Sequence, residues 1–183
     1  MGTLGTMPPI IHLAHGASGS AESMLPHVRG LQARGLDART VQLPRAKAER
    51  AVPVYASAAP PVDAVIIGGH SYGGRVASLL AAEVPYAGLV LLSYPLHPPG
   101  APDRWADRTA HWPRIGCPVL LLSGDRDMFA RVGLLRGAVE QLPDHELVVY
   151  PGVRHGIGPV LDDALDRIAA FARRVTESVH SPS

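Results

Sequence analysis

Short apolar runs alternate along this chain with longer stretches in which apolar residues recur every three or four positions. The first pattern is typical of buried strands, and the second is typical of helices that pack one face on a sheet. Their alternation predicts an α/β fold with a mostly parallel, doubly wound sheet. About six strands are expected, at residues 10–14, 38–43, 64–68, 88–92, 119–123 and 146–150.

The helical pattern is clearest near the carboxyl end. Over residues 161–175 apolar side chains share one face of a helix, and acidic side chains lie off that face. This pattern predicts a helix that docks on the sheet. Shorter helices are expected at 22–34, where Gly35 suits the end of a helix, and at 72–82.

Two proline-rich segments interrupt the alternation. Residues 44–61 are expected to hold one short helix, and residues 94–113 a loop with a helical turn near 103–109. The second segment lies in a connection of about 25 residues, which is too short for a lid domain. A length of 183 residues suits one domain, and we expect disorder only in the tail after about residue 177.

Composition excludes several classes of function. With 17 basic and 16 acidic residues the chain has a net charge of +1, so no footprint for nucleic acid or an anionic membrane is expected. Cys117 is the one cysteine, which excludes an intrachain disulfide and a cysteine metal cluster. His12 and His15 fall on opposite faces of a strand, and no metal or cofactor is predicted. No signal peptide or membrane span is expected, and a cytoplasmic location is the prediction.

The most informative motif is I-I-G-G-H-S-Y-G-G-R, which contains Gly69, Ser71 and Gly73 at the spacing Gly-x-Ser-x-Gly. A strand pattern runs directly into it and a helix pattern runs directly out, which is the arrangement that holds a nucleophilic serine. Glycines two residues to either side let neighbouring backbone pass close to the turn. The alternative is a glycine-rich turn whose serine caps the next helix. We predict Ser71 as the nucleophile.

A serine nucleophile needs a general base and a group that orients this base. His155 follows the last predicted strand in P-G-V-R-H-G and is the predicted base, although a histidine of a surface loop is the alternative. Asp127 follows the strand at 119–123 in G-D-R-D-M-F and is the predicted acid. Asp125 competes for this role, and either carboxylate could instead cap the helix that follows.

The tetrahedral intermediate of acyl transfer needs N–H donors aimed at its oxyanion. The backbone N–H groups of Tyr72 and of Ala17, in H-G-A-S-G after the first strand, are the predicted donors. Open α/β sheets bind ligands at the carboxyl ends of their strands. Candidate pocket residues near these ends are His15, His70, His97 and Trp105.

The motifs H-G-A-S-G, G-G-H-S-Y-G-G-R-V-A-S, S-Y-P-L-H-P-P-G and S-G-D-R-D-M-F together resemble the α/β-hydrolase superfamily over nearly the whole chain. More narrowly, they are similar to a small branch of bacterial hydrolases related to animal testis-expressed and histone-acetyltransferase-complex subunit homologues. Dienelactone hydrolases are more distantly similar, but they use a cysteine nucleophile where this chain has Ser71. The resemblance implies an α/β-hydrolase fold without the first strands of the family.

These observations predict a serine hydrolase that cleaves small acyl esters or thioesters through an acyl-enzyme. Two alternatives stay open: a non-catalytic interaction module of the same fold, and transfer of the acyl group to an acceptor other than water. The presence of a candidate nucleophile, base and acid argues against the first alternative. The expected partner is a small-molecule acyl substrate, with short acyl chains preferred because no lid domain is expected.

Overall fold

The computed structural model describes residues 8–62 and 64–178. Within these residues there are six strands: β1 (Ile10–Ala14), β2 (Asp37–Val41), β3 (Val65–His70), β4 (Gly88–Leu92), β5 (Val119–Gly124) and β6 (His145–Tyr150). They form one sheet in the order β2-β1-β3-β4-β5-β6, and every neighbouring pair is parallel. The predicted parallel sheet is confirmed.

Helices follow the strands in the same described ranges: α1 (Leu25–Ala33), α2 (Ala48–Ala58), α3 (Tyr72–Ala81), α4 (Trp105–Thr109), α5 (Val132–Ala138) and α6 (Leu161–Ser178). A 3-10 turn, Ala21–Met24, leads into α1. The predicted tail after about residue 177 falls partly on α6, and residues 179–183 lie outside the described residues.

Each face of the sheet carries its own apolar core, because alternate residues of a strand point to opposite faces. Leu89 and Leu91 of β4 pack in a core that includes residues of α2, α3 and α5. Val90 and Leu92 pack in the opposite core with residues of α1 and α6. Helices therefore cover both faces, and the predicted doubly wound architecture is confirmed.

The two proline-rich segments contain the helices that the sequence indicated. The short helix predicted in 44–61 is α2, which runs for 11 residues although Pro53 lies within it. Proline has no N–H to donate, so the helix lacks the backbone hydrogen bond from residue 53 to the carbonyl of Glu49. Glu49 lies in the first turn of α2, so only the start of the helix is affected. The helical turn predicted near 103–109 is α4. Within the described residues, the connection 93–118 contains only α4 and two short 3-10 turns as regular structure.

The sheet has a topological switch between β1 and β3. The chain leaves β1 toward β2 on one side and returns to place β3 on the other, with Ala14 of β1 paired to Gly69 of β3. In open α/β sheets, a crevice forms at the carboxyl ends of two such strands and binds ligands. The loop 15–19 and Ser71 directly follow these two strands, so both lie at this crevice.

Candidate active site

Ser71 occupies the sharp turn between β3 and α3. Its φ of 49° and ψ of −113° lie in a region that costs a non-glycine residue about 1–3 kcal/mol. Backbone hydrogen bonds on both sides hold this conformation: Ser71 N donates to Leu92 O at 2.8 Å, and Arg75 N donates to Ser71 O at 3.0 Å. The turn thus fixes Ser71 at the carboxyl edge of the sheet.

Gly69 and Gly73 make this turn possible because the end of β1 passes close to both. A Cβ atom on either residue would lie 2.5 Å from the carbonyl oxygen of Ala14, which is far inside van der Waals contact. The predicted need for glycine two residues to either side of Ser71 is confirmed.

The imidazole of His155 bridges Ser71 and Asp127. Its Nε2 lies 2.9 Å from Ser71 Oγ, and its Nδ1 lies 2.8 Å and 3.0 Å from the two carboxylate oxygens of Asp127. An ionised carboxylate can only accept hydrogen bonds, so we assign the proton to Nδ1 and a free lone pair to Nε2. The structure thus brings the predicted nucleophile, base and acid into one hydrogen-bonded chain.

The two candidate acids have separate partners. The side chain of Asp127 is fully buried beneath His155 and also accepts the N–H of Phe129 at 2.8 Å. Asp125 instead accepts the N–H of Gly152 at 2.7 Å and so ties the turn after β5 to the turn after β6. Of the two carboxylates, Asp127 is therefore the one that can orient His155.

Ala17 and Tyr72, the predicted oxyanion donors, border the same cavity as Ser71. Tyr72 is the first residue of α3, where backbone N–H groups have no acceptor within the helix. Ala17 is exposed in the loop that follows β1. Both residues therefore lie beside Ser71 at the wall of this cavity.

His15 holds that loop in shape. Its Nε2 accepts the N–H of Leu43 at 3.0 Å, which leaves Nδ1 to donate to the carbonyl of Gly16 at 2.7 Å. The residue is buried, and both ring nitrogens are occupied inside the protein. The expectation that His15 lines the substrate pocket is therefore corrected: it supports the loop from behind.

A cavity of about 680 Å³ opens beside Ser71 and His155. Much of its wall is apolar, contributed by Tyr72, Pro95, Pro98, Pro99 and Phe129. Polar groups come from the predicted pocket residue His70 and from Arg75 and Arg108. Because the prolines and Arg108 belong to the connection between β4 and β5, this short connection forms one wall of the cavity.

Two other predicted pocket residues lie elsewhere. His97 is buried, with Nε2 accepting the N–H of Arg131 at 3.0 Å and Nδ1 donating to the carbonyl of Pro98 at 2.9 Å. Trp105 is partly buried and packs against the apolar core that includes residues of α3. Neither residue belongs to the lining of the Ser71 cavity. Hydrogen bonds keep the ring of His97 inside the protein, and apolar packing keeps the ring of Trp105 against the core.

His70 supports the site from the side. Its ring centroid lies 5.2 Å from that of His155, and a Cβ atom on Gly16 would lie 2.8 Å from its Nδ1. Burial, reinforced by the neighbouring rings of His155 and His27, lowers the pKa of His70 to about 4. A neutral His70 therefore packs between the loop after β1 and His155. Of these two histidines, only His155 forms a hydrogen bond with Ser71.

Sequence reasoning overlooked Ser93, Arg75 and Arg108. Ser93 follows β4 as Ser71 follows β3, with the same φ of 49°, and its buried hydroxyl accepts the N–H of Gly156 at 3.0 Å. A polar residue directly after a buried strand was the available signal. Arg75 lies inside the Ser71 motif and Arg108 in the predicted helical turn, but nothing in their spacing indicated a cavity.

Residues 8–62 and 64–178 contain neither a cluster of metal ligands nor a helix that could span a membrane. No group of three or more histidine, cysteine or acidic side chains there could hold a metal ion. Among the helices of this part of the chain, none is long and apolar enough to cross a membrane.

Comparisons with known proteins agree with this architecture. A family model described as an alpha/beta hydrolase domain matches residues 32–179. Among solved structures, the chain is similar to a metagenome-derived lipolytic enzyme of the pair LipS and LipT (TM-score 0.77, 17% identity, 92% of this chain and 96% of the other). It is also similar to a monoacylglycerol lipase of Paleococcus ferrophilus (0.76, 17%, 93% and 96%) and to Est1E of Butyrivibrio proteoclasticus (0.74, 17%, 94% and 90%). The comparison with curated proteins found no match.

Proposed function

The chain belongs to the α/β-hydrolase family, whose model spans most of its length, and on this premise we propose that it is a serine hydrolase acting on small acyl esters or thioesters. One observation carries the proposal: His155 Nε2 lies 2.9 Å from Ser71 Oγ while Nδ1 is held by Asp127 at 2.8 Å. This geometry suits proton transfer from a serine hydroxyl during nucleophilic attack.

In the proposed reaction, Ser71 Oγ attacks the carbonyl carbon of the ester, and its proton passes to His155 Nε2. The carbonyl oxygen becomes an oxyanion that accepts hydrogen bonds from the N–H groups of Tyr72 and Ala17. When the intermediate collapses, the bond to the leaving group breaks, and His155 gives the proton to the departing oxygen or sulfur. An acyl-Ser71 ester remains.

Water then enters and completes the cycle. His155 takes a proton from the water, whose oxygen attacks the acyl-enzyme, and the carboxylic acid leaves as the proton returns to Ser71 Oγ. Throughout, Asp127 keeps the imidazole in the required tautomer and stabilises the imidazolium as it forms. Its full burial strengthens this interaction, because the carboxylate is screened from water.

Labelling with a fluorophosphonate tests the proposal directly. The purified protein should react at one residue, and peptide mass spectrometry should identify it as Ser71. Ser71→Ala should remove labelling and hydrolysis of para-nitrophenyl acetate while the melting temperature stays near the wild-type value. Ser57→Ala is the matched control, since Ser57 is an exposed residue of α2 outside the cavity. No labelling of the wild type, or labelling that persists in Ser71→Ala, would overturn the assignment and favour a non-catalytic module.

The narrower resemblance to bacterial hydrolases related to testis-expressed and histone-acetyltransferase-complex subunit homologues is part of this proposal. It rests on the motifs around Ser71, Ser93 and Asp127. It carries no substrate with it, so the substrate has to be inferred from the cavity.

A further inference from the structure

Two guanidinium groups border the cavity beside Ser71. Arg75 lies one helical turn after Ser71 on α3, and Arg108 lies on α4. Within the described residues, the lining of this cavity contains no carboxylate. The nucleophile therefore faces a space whose fixed charges are positive.

The two arginines differ in how their charge is balanced. Arg75 Nη2 lies 2.9 Å from Glu49 Oε1, so an ion pair compensates this guanidinium. Over residues 8–62 and 64–178, by contrast, no carboxylate lies within ion-pair distance of Arg108. The nearby Asp107 pairs with Arg104 at 3.2 Å. One positive charge at the cavity is thus left without a counterion.

Backbone and side-chain contacts fix Arg108 in position. Its Nη1 donates to the carbonyl of Pro95 at 3.1 Å, and its own carbonyl accepts Tyr94 Oη at 2.6 Å and Arg75 Nη1 at 3.4 Å. A guanidinium has five N–H donors in a planar fork that matches a carboxylate. A group held in this way loses little further conformational freedom when a ligand binds.

An unpaired, partly buried cation is costly to the folded protein. Burial and the charge of Arg75 both disfavour the charged form of Arg108 and so lower its pKa. A charge-assisted hydrogen bond to an anion would offset this cost. No described side chain supplies that anion, so a ligand in the cavity is the natural source.

We propose that the substrate is an ester or thioester that also carries a carboxylate, which binds the guanidinium of Arg108 while Ser71 attacks the acyl carbon. This inference rests on the proposed hydrolase function and names its substrate class. The charge balance favours a substrate with a single negative charge. The guanidiniums of Arg75 and Arg108 together with the carboxylate of Glu49 leave a net charge of +1. Arg75 contributes by supporting the backbone of Arg108.

Two matched substrate pairs test the proposal and distinguish the end of the ester that carries the charge. The para-nitrophenyl monoester of adipic acid is compared with its terminal amide, which places the charge on the acyl side. Para-acetoxybenzoate is compared with para-acetoxybenzamide, which places it on the leaving group. We expect the carboxylate of at least one pair to be favoured about 10- to 100-fold in kcat/KM, the range of one charge-assisted hydrogen bond.

Substitutions at Arg108 assign this preference. Arg108→Gln should reduce the ratio of anionic to neutral kcat/KM to about one, and Arg108→Lys should leave an intermediate ratio, because it keeps the charge but loses the fork. Arg136→Gln removes the same charge from an exposed position on α5 and should retain the wild-type ratio. Fluorophosphonate labelling of Ser71 shows that each variant keeps its site. Added salt should diminish the wild-type preference, since the contact is electrostatic.

Several results would overturn the inference. Equal or better turnover of the neutral partner in both pairs would do so, as would an unchanged ratio in Arg108→Gln. If neutral esters are hydrolysed by the wild type and not by Ser71→Ala, the proposed function stands while the carboxylate preference fails. If Ser71 is neither labelled nor active on any of the four substrates, the proposed function itself fails.

Discussion

The hydroxyl oxygen of Ser93 lies 3.0 Å from the backbone nitrogen of Gly156, the residue that follows His155. Ser93 is fully buried, and its positive φ turns the chain at the end of β4 as Ser71 turns it at the end of β3. The loop that presents His155 is therefore tied to the centre of the sheet. His155 is held both by the carboxylate of Asp127 and by this backbone anchor.

Removing the Ser93 hydroxyl should make the position of the His155 ring less well fixed. Ser93→Ala and Ser93→Gly both delete the hydroxyl, but only the second relieves the positive φ, so the pair separates the hydrogen bond from backbone strain. We expect both variants to lower kcat about tenfold on para-nitrophenyl acetate with little change in KM. Ser93→Ala should also lose about 1–3 kcal/mol of unfolding free energy, because a buried N–H is left without its acceptor. Wild-type kcat in both variants would contradict a positioning role.

The two aspartates after β5 provide a matched pair of substitutions. Asp127→Asn should lower kcat by about 10⁴, the scale expected when the acid that orients a catalytic histidine is neutralised. Asp125→Asn should change kcat far less, because its partner is the N–H of Gly152, which an amide oxygen can still accept. Rate constants for ester hydrolysis and for labelling of Ser71 measure both effects. The reverse ranking would transfer the role of acid to Asp125.

The sequence predicted the fold well because apolar periodicity records burial directly. β1 and β4 have the predicted bounds, and the remaining strands shift by one or two residues at their ends. The contacts among Ser71, Asp127 and His155 could be anticipated for a similar reason. Each residue follows a strand of one parallel sheet, and the carboxyl ends of such strands meet at one edge.

The pocket was less predictable because it depends on the direction of each side chain. His15 follows β1 as expected, yet its ring is occupied by the N–H of Leu43, 28 residues away in the chain. Arg108 reaches the cavity only because Tyr94 and Pro95 hold α4 against the end of β4. Contacts between residues so far apart in the chain produce no periodic pattern in the sequence. The positions of the His15 ring and of Arg108 therefore could not be predicted from the sequence.

Tyr55 makes a buried polar contact whose loss should be measurable. Its hydroxyl accepts the N–H of Gly68 at 3.0 Å and lies within hydrogen-bond distance of the carbonyls of Gly68 and His12. Tyr55→Phe should reduce the unfolding free energy by about 1–3 kcal/mol, because a buried donor in the central strand is left unpaired. Tyr86→Phe is the control: it removes only a donation to the carbonyl of Ala59 and should cost less. Urea denaturation compares the two, and an equal loss would contradict the argument.

Chain length should limit turnover of neutral esters. The cavity is walled by prolines with restricted backbone freedom and bordered by the guanidiniums of Arg75 and Arg108. A long alkyl chain would cover these charges without pairing them, which is unfavourable. We expect para-nitrophenyl acetate or butyrate to exceed the palmitate ester by at least about tenfold in kcat/KM. Faster turnover of palmitate in detergent-dispersed assays would show that the cavity continues further than its walls indicate.

Acid should destabilise the protein through its buried histidines. Burial is the main cause that lowers the pKa of both His70 and His111 to about 4; for His111 the charges of Arg75 and Arg114 add to it. In the unfolded chain a histidine has its ordinary pKa of about 6.5. Between pH 6.5 and pH 4 the unfolded state therefore binds more protons than the folded state, and the unfolding free energy falls as the pH is lowered through this window.

His111 offers the cleaner test because it lies outside the Ser71 cavity. Its Nε2 lies 2.8 Å from Ser78 Oγ in a buried contact that a glutamine amide can replace without a titrating group. Because the folded protein takes up this proton at a lower pH than the unfolded chain, the wild type loses on the order of 3 kcal/mol of unfolding free energy between pH 6.5 and pH 4. At pH 7 the unfolding free energy of His111→Gln should lie only slightly below that of the wild type, because the side chain repacks locally. On acidification the variant should lose less unfolding free energy than the wild type, because glutamine does not titrate. Urea denaturation at pH 7, 5.5 and 4.5 measures how steeply the unfolding free energy falls with pH. If it falls as steeply in His111→Gln as in the wild type, His111 is not one of the groups responsible.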